Sequence, residues 1–257
     1  MIQTLVLHLD GSAHSATRTD LAIGLAREHG SHLIGVAPTR EVAAPIEFGA
    51  SLVDPGYLVA TRQYLRKCAQ LLCEDFDARA AAAGLGSHES RVVEAGHAAG
   101  LIALARAADL TVIGQVERDA QADRIERDLP EQVVLGCGRP VLIVPYAGRL
   151  RAPGRQVLAA WNDSRESAHA FAGALPLLRR AQAITVMTQR EAQAESPPTQ
   201  DLAAWLQRHG VANARFADEV APVGGDRTRH GRLEIEPELA AEPGVIDARA
   251  EEVAGRG

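Results

Sequence analysis

The residues best suited to bind a ligand or to support catalysis lie just after short runs of the sequence that have a strand-like pattern. Asp10, Gly11 and Ser12 follow the run at 3–9, and His97 follows a later one. If these runs are parallel strands, their carboxyl ends meet at one edge of a sheet, where open α/β folds bind small ligands. A carboxylate at that edge could contact a ligand directly. The Asp-Gly-Ser sequence could equally be a turn that leads into a helix, and both interpretations stay open.

Histidine is the other residue type that could support catalysis, and the chain contains nine. His8 alternates with Leu7 and Leu9, which indicates a packed or an edge position in a strand. His97 lies near the expected ligand crevice, but neither a nucleophile nor an acidic orienting group can be identified beside it. Nucleophile-elbow, HExxH and P-loop patterns are missing from the sequence. We therefore predict no catalytic residues and no enzyme activity.

Composition argues against several classes of partner. The 257 residues carry a formal charge of −6, so no basic field attracts nucleic acid. No apolar stretch approaches the roughly 20 residues that span a bilayer, and the first residues read as a strand and not as a signal peptide. Three cysteines suit a reducing compartment better than a disulfide framework, and no Cys or His pair has zinc-ligand spacing. We expect a cytoplasmic protein with buried structural thiols and no metal.

The elements that would position these residues alternate between strand and helix. Strands are predicted at 3–9, 32–37, 89–94, 109–114 and 140–145, and helices after Ser12 or Ser15, at about 57–83, at 98–107 and at 129–136. Either serine is expected to cap the first helix. Because each parallel crossover needs a dozen or more residues, the alternation predicts an α/β fold, an open five-stranded parallel sheet with helices on both faces.

The second half of the chain repeats the start of the first. Residues 157–164 (VLAAWNDS) echo 5–12 (LVLHLDGS), with Asn162 where Asp10 stood. A second strand at 183–187, a shorter helix at 201–210 and a third strand at 211–217 follow, and the pattern fails after about 218. The predicted organisation is therefore a complete domain at 1–146, a linker at 147–155, a partial second domain at 156–218 and a disordered tail at 219–257.

These segments resemble the universal stress protein family in its tandem form. The resemblance is carried by LVLHLDGS at 5–12, DLTVIGQ at 109–115, VLGCGRPVLIVP at 134–145 and WNDSRESAHAF at 161–171. It covers 1–146 well and 154–217 in part. It implies a Rossmann-like domain of five parallel strands that dimerises through its last strand. It also implies membership of one of two branches, of which only one binds ATP.

The segment after the fourth strand distinguishes the two branches. The ATP-binding branch carries G-x2-G-x9-G-[S/T] there, and in this register Gly114 matches the first glycine, whereas Glu117, Arg127 and Asp128 replace the later positions. Glycines at those points let backbone N–H groups approach phosphate oxygens. Five carboxylates against three arginines leave 117–128 net negative, which would repel a triphosphate. The comparison with the motif favours the branch that does not bind ATP.

Two functional hypotheses follow from the resemblance. The first is a non-enzymatic stress-response or regulatory protein without a cofactor, acting through dimer or partner contacts. The second is an ATP-binding regulator or weak ATPase, with nucleotide contacts from Asp10, Gly11, Ser12, Val36 and Gly114. Because an edge strand presents unpaired N–H and C=O groups, we expect a homodimer through the last strand of the first domain. The residues of that dimer edge are Val141, Leu142, Ile143 and Val144.

Overall fold

The computed structural model describes residues 1–39, 55–116, 127–147, 154–191 and 198–221. The chain divides into two compact units, Met1–Leu150 and Arg151–Gly257. The division falls inside the predicted linker, and the domain assignments themselves stay predictions.

A five-stranded parallel sheet forms the centre of the first unit. Its strands are β1 (Thr4–His8), β2 (His32–Pro38), β3 (His88–Val93), β4 (Leu110–Gly114) and β5 (Val141–Val144), in the order β3-β2-β1-β4-β5. From β1 the chain steps through β2 and β3 on one side, whereas β4 and β5 lie on the other. The predicted fold class is confirmed. This reversal of direction opens a crevice at the carboxyl ends of β1 and β4, the usual ligand position of such sheets.

Helices cover both faces of this sheet. They are α1 (Ser15–His29), α2 (Pro55–Ala82), α3 (His97–Ala105) and α4 (Leu129–Cys137). On one face α3 and α4 pack on a buried cluster that includes Val6, Val36 and Ile113. On the other face α2 lies so close that a Cβ at Gly35 would be 2.8 Å from the Phe76 ring. Right-handed crossovers explain the division, because the two directions of strand order require helices on opposite faces.

The start of α1 differs from the prediction. Its N-cap residue is His14, which makes no side-chain capping bond, and Ser15 is already helical. The Ser12 hydroxyl instead donates to Asp10 Oδ1 at 2.6 Å. The prediction of a serine cap was wrong, because the carboxylate two residues earlier binds the hydroxyl that would have capped the helix.

The second unit contains a smaller parallel sheet. Its elements are β6 (Gln156–Trp161), α5 (Arg165–Leu178), β7 (Ala183–Glu191), α6 (Gln200–Arg208) and β8 (Ala214–Ala221), with strand order β6-β7-β8. This order repeats that of β1, β2 and β3. Its identity as an incomplete second domain of the same family stays a prediction.

Two boundaries in the second unit are corrected. The third strand, predicted at 211–217, lies at Ala214–Ala221, because β7 continues to Glu191 and offers pairing partners as far as Ala221. The predicted tail at 219–257 therefore loses its first three residues to β8. The rest of that tail lies outside the described residues.

The cysteines are free thiols, but they are not equally buried. Cys73 and Cys137 are buried, as predicted, whereas Cys68 on α2 is only half-buried. It lies beside the buried side of α2, one residue before the buried Ala69. Within the described ranges, no helix combines the length and the hydrophobicity that crossing a membrane requires.

Candidate functional site

The crevice at the ends of β1 and β4 contains a buried ion pair. Asp10, two residues beyond β1, is 5% exposed, and Arg18, one turn into α1, is 2% exposed. Arg18 Nη2 lies 2.7 Å from Asp10 Oδ1. Arg18 Nε also donates to the main-chain carbonyl oxygen of His8 at 3.2 Å. The guanidinium is thereby fixed to the end of β1 at two points.

Gly114, the last residue of β4, makes room for this guanidinium. A Cβ at Gly114 would clash with Arg18 Nη1. The sequence singled out this glycine for its match to a phosphate-binding motif. In the fold its missing side chain has a second consequence, because it lets an arginine of α1 lie against the end of β4.

Two histidines from distant parts of the chain extend the ion pair into the core. His8 is fully buried, and its Nε2 lies 2.8 Å from His97 Nδ1. Its Nδ1 faces Asp10 Oδ2 at 3.6 Å, which is too long for a full hydrogen bond. Of the two facing ring nitrogens, His8 Nε2 and His97 Nδ1, one donates its proton to the other. We call Asp10, Arg18, His8 and His97 the buried polar cluster.

The protonation states in the cluster follow from burial and mutual charge. Burial, with smaller contributions from the neighbouring Arg18 and His97, lowers the pKa of His8 to about 3 in spite of the Asp10 carboxylate, which raises it. Burial raises the pKa of Asp10, but the positive charge of Arg18, the field of His8 and the Ser12 hydrogen bond outweigh it and hold the pKa at about 2. At neutral pH the cluster therefore consists of one carboxylate, one guanidinium and a neutral His8.

The turn after β1 recurs in the second unit. Ser12 binds Asp10 Oδ1 through its hydroxyl at 2.6 Å and its N–H at 3.1 Å. Ser164 binds Asn162 Oδ1 in the same way, at 2.6 and 3.2 Å. The turn that Asp-Gly-Ser forms in the first unit is thus formed by Asn-Asp-Ser in the second, and side-chain hydrogen bonds account for it without a ligand.

Two members of the buried polar cluster, by contrast, have no counterpart at the equivalent described positions of the second unit. At the 152-residue offset of the repeat, Ala160 stands in place of His8 and Ala170 in place of Arg18. Within the described residues the two units thus share the backbone turn but not this ion pair.

The remaining predicted site residues are spread over different environments. Gly11 is exposed and Ser12 is half-buried at the turn. Val36 is fully buried in the core beneath α3. Arg127 and Asp128 are exposed before α4. The other charged residues of the predicted repulsive segment, Glu117, Arg118, Asp119, Asp123, Arg124 and Glu126, lie outside the described residues.

Sequence reasoning missed Arg18 and the contact between His8 and His97. One signal was available, because Arg18 precedes the buried Ala22 and Leu25 by four and seven residues and so shares the buried face of α1. A cation on an apolar helix face, beside an acid at a strand end, indicates a buried ion pair. The histidine contact joins residues 89 positions apart and has no local signal.

Comparison with known proteins identifies the relatives of the chain. The model of the universal stress protein family matches residues 1–145. A universal stress protein from Archaeoglobus fulgidus DSM 4304 is 12% identical over 85% of this chain and 77% of that chain, with a TM-score of 0.59. At that identity the likeness shows the fold alone. No curated protein sequence matches significantly.

Two further solved structures match the chain over a smaller part. A universal stress protein in complex with cAMP is 26% identical over 56% of this chain and 97% of that chain, with a TM-score of 0.42. A universal stress protein family member from Burkholderia pseudomallei is 24% identical over 56% and 96%, with a TM-score of 0.43. Both TM-scores are too low to support a structural argument.

Replacing Arg18 should destabilise the first unit. Arg18→Met leaves Asp10 as a buried carboxylate without a cation, and we expect a loss of about 3–5 kcal/mol in the free energy of opening. Native-state hydrogen exchange of β1 and β4 amides measures this locally. Arg27→Met, at an exposed position of the same helix, serves as the matched control. Asp10→Asn combined with Arg18→Met should recover part of the loss, and equal effects at 18 and 27 would contradict the ion pair.

Acid should destabilise the first unit through His8. The folded state keeps His8 unprotonated down to a pKa of about 3, whereas the unfolded chain binds a proton near 6.5. Stability is therefore lost as pH falls from 6.5, by up to about 1.4 kcal/mol per pH unit. Asp10, with its pKa lowered to about 2, adds a loss only below about pH 4.

Hydrogen exchange of β1 between pH 6.5 and 4 tests this slope. His8→Asn should flatten it, and His169→Asn, at an exposed histidine of α5, should leave it unchanged. Identical slopes in the wild type and in His8→Asn would show that the buried histidine does not control acid stability.

Proposed function

The chain belongs to the universal stress protein family, and on that premise we propose that it is a non-enzymatic regulatory protein of the branch that does not bind ATP. In this proposal it acts in the cytoplasm, without a cofactor, through contacts with a second copy or with other proteins. The observation that carries the proposal is the position of Arg18, whose guanidinium occupies the crevice between Asp10 and Gly114.

A nucleotide in this crevice would compete with the chain's own side chain. It would need the Asp10 carboxylate and the space beside Gly114, and Arg18 already occupies both. Moving the guanidinium away would leave a carboxylate that is 5% exposed without its cation. The cost of about 3–5 kcal/mol corresponds to a loss of more than a hundredfold in affinity. These energetics support a crevice that is filled by the protein itself.

The alternative is a nucleotide-binding regulator or weak ATPase that uses the same crevice. Arginine is well suited to phosphate because its planar guanidinium donates two parallel hydrogen bonds. In that case Arg18 would have to turn from Asp10 toward the ligand. The two hypotheses therefore differ in the partner that Arg18 holds when nucleotide is present.

Calorimetric titration distinguishes the two hypotheses. We expect no binding heat when Mg-ATP is titrated to millimolar concentration into the full-length protein, because the crevice is occupied. Parallel titrations with magnesium alone and with cAMP, which a relative's structure contains, provide the reference and a second nucleotide. Micromolar affinity for Mg-ATP would overturn the proposal and favour the nucleotide-binding alternative.

The contact with a second copy is proposed to use the free edge of β5. Within the described ranges β5 pairs only with β4, from Thr111 opposite Val141 to Gly114 opposite Val144. Ile143 is 40% exposed on this edge, and Leu135 of the adjacent α4 is 86% exposed. Unpaired backbone groups beside exposed apolar side chains favour pairing with another edge strand.

Light scattering after size exclusion tests the β5 contact. We expect Ile143→Lys to halve the molar mass of the wild-type assembly, because a charge is placed in the interface. Val59→Lys, at a 53%-exposed position of α2 and away from any sheet edge, is the matched control and should leave the mass unchanged. A monomeric wild-type protein, or an unchanged mass in Ile143→Lys, would contradict this contact.

A further inference from the structure

A strip of mostly apolar side chains runs along the solvent-exposed side of α2. Its members follow one another at alternating spacings of three and four residues, and all are exposed: Tyr57, Ala60, Tyr64, Lys67, Leu71, Glu74 and Ala78. Tyr57, Tyr64 and Leu71 are 61%, 67% and 55% exposed. This spacing aligns side chains along one line of a helix and is that of a seam between paired helices. We call these seven residues the α2 strip.

The opposite side of α2 already provides the contact with the rest of its unit. Ala69, Cys73, Phe76 and Ala80 are buried there, with Phe76 only 1% exposed. Packing on the sheet therefore does not need the strip. Large aromatic side chains are enriched at protein interfaces, and two tyrosines in an exposed apolar line are typical of a contact surface.

Two charges within the strip select the partner. Neighbouring charges on α2 are paired inside the chain, Arg66 with Glu94 and Arg79 with Asp75, both at 2.8 Å. Among the described residues, neither Lys67 nor Glu74 makes an ion pair. A partner for the α2 strip would therefore have to present a carboxylate toward Lys67 and a cation toward Glu74.

We propose that the α2 strip pairs with the same strip of a second copy, in antiparallel orientation. Antiparallel pairing brings Lys67 of each copy beside Glu74 of the other, so one two-fold axis satisfies both charges twice. Parallel pairing would place Lys67 against Lys67 and Glu74 against Glu74, which is repulsive. The charges of the strip thus select both the partner and its direction.

The layers of such a pair are also compatible in size. In the antiparallel register, each residue that starts a four-residue step of the strip lies opposite one that starts a three-residue step. Ala60 is then opposite Ala78 and Lys67 opposite Leu71, and the two-fold axis crosses between the helices at the height of residue 69. The aliphatic stem of Lys67 can then pack on Leu71. Its ammonium lies about 4.5 Å along the axis from Glu74 of the second copy, within reach of a lysine side chain. The two copies of Cys68 face each other next to the axis.

Thiol crosslinking of the full-length protein tests this geometry. A short bis-maleimide should join two chains through Cys68, since Cys73 and Cys137 are buried, and Cys68→Ser should abolish the product. The matched control is Thr61→Cys in the Cys68→Ser background, one heptad away on the same side of α2. In the antiparallel pair its introduced thiols are about 24 Å apart along the axis, so no product is expected. Equal crosslinking from both positions, or none from Cys68, would overturn the proposal.

Charge exchange provides the second test. Lys67→Glu and Glu74→Lys should each raise the dissociation constant, measured by sedimentation velocity, about tenfold, and the double variant should restore it. Arg62→Glu, at an exposed position of α2 outside the strip, should have no such effect. The pattern should persist in the Ile143→Lys background, which separates this contact from pairing through β5. Failure of the double variant to restore association would overturn the antiparallel arrangement and leave the β5 proposal unaffected.

Discussion

Beyond the carboxyl end of the central strand β1, a carboxylate and a guanidinium share a site from which water is almost excluded. A buried charge that loses its partner costs several kcal/mol, so Asp10 and Arg18 have to remain together. Their pairing constrains the surroundings. A side chain at Gly114 would displace the guanidinium, and burial keeps His8 neutral between a carboxylate and a second histidine. One ion pair joins the end of β1 to the first turn of α1, and the end of β4 lies against it.

This ion pair stands at the position where sheets of this common fold usually bind a ligand. Parallel sheets of this order offer a crevice where the strand order reverses, and a ligand commonly fills it. Here an arginine from the first helix is already in that position, and it neutralises the acid that a ligand would otherwise meet. The second unit shows the contrast, because it keeps the turn at Asn162 and Ser164 but has alanines where the first unit has His8 and Arg18. The turn and the ion pair are therefore separable features of the same strand-turn-helix segment.

Because Arg18 lies in the crevice, the remaining features of the described first unit that could contact another molecule are on its surface. The edge of β5 presents backbone groups and Ile143, and α2 carries an apolar line on the side that faces away from the sheet. Both are local consequences of the fold, because a sheet must end somewhere and a helix packs on one side only. What distinguishes them is their composition, which departs from the polar surface that an unpartnered edge or helix face usually has.

The sequence by itself determined the strands and helices of the first unit, since periodicity and turn residues act over a few neighbouring positions. It also determined the loss of repeat pattern in the second half. Only the tertiary structure decided that Ser12 binds Asp10 rather than capping α1 and that β8 ends at Ala221. It also decided that Arg18 and His97, from distant parts of the chain, both contact the end of β1. These outcomes depend on which strands are adjacent and on how far a neighbouring strand extends. The ion pair in particular forms because the crossover places α1 over the gap between β1 and β4, a relation between distant segments that local pattern does not encode.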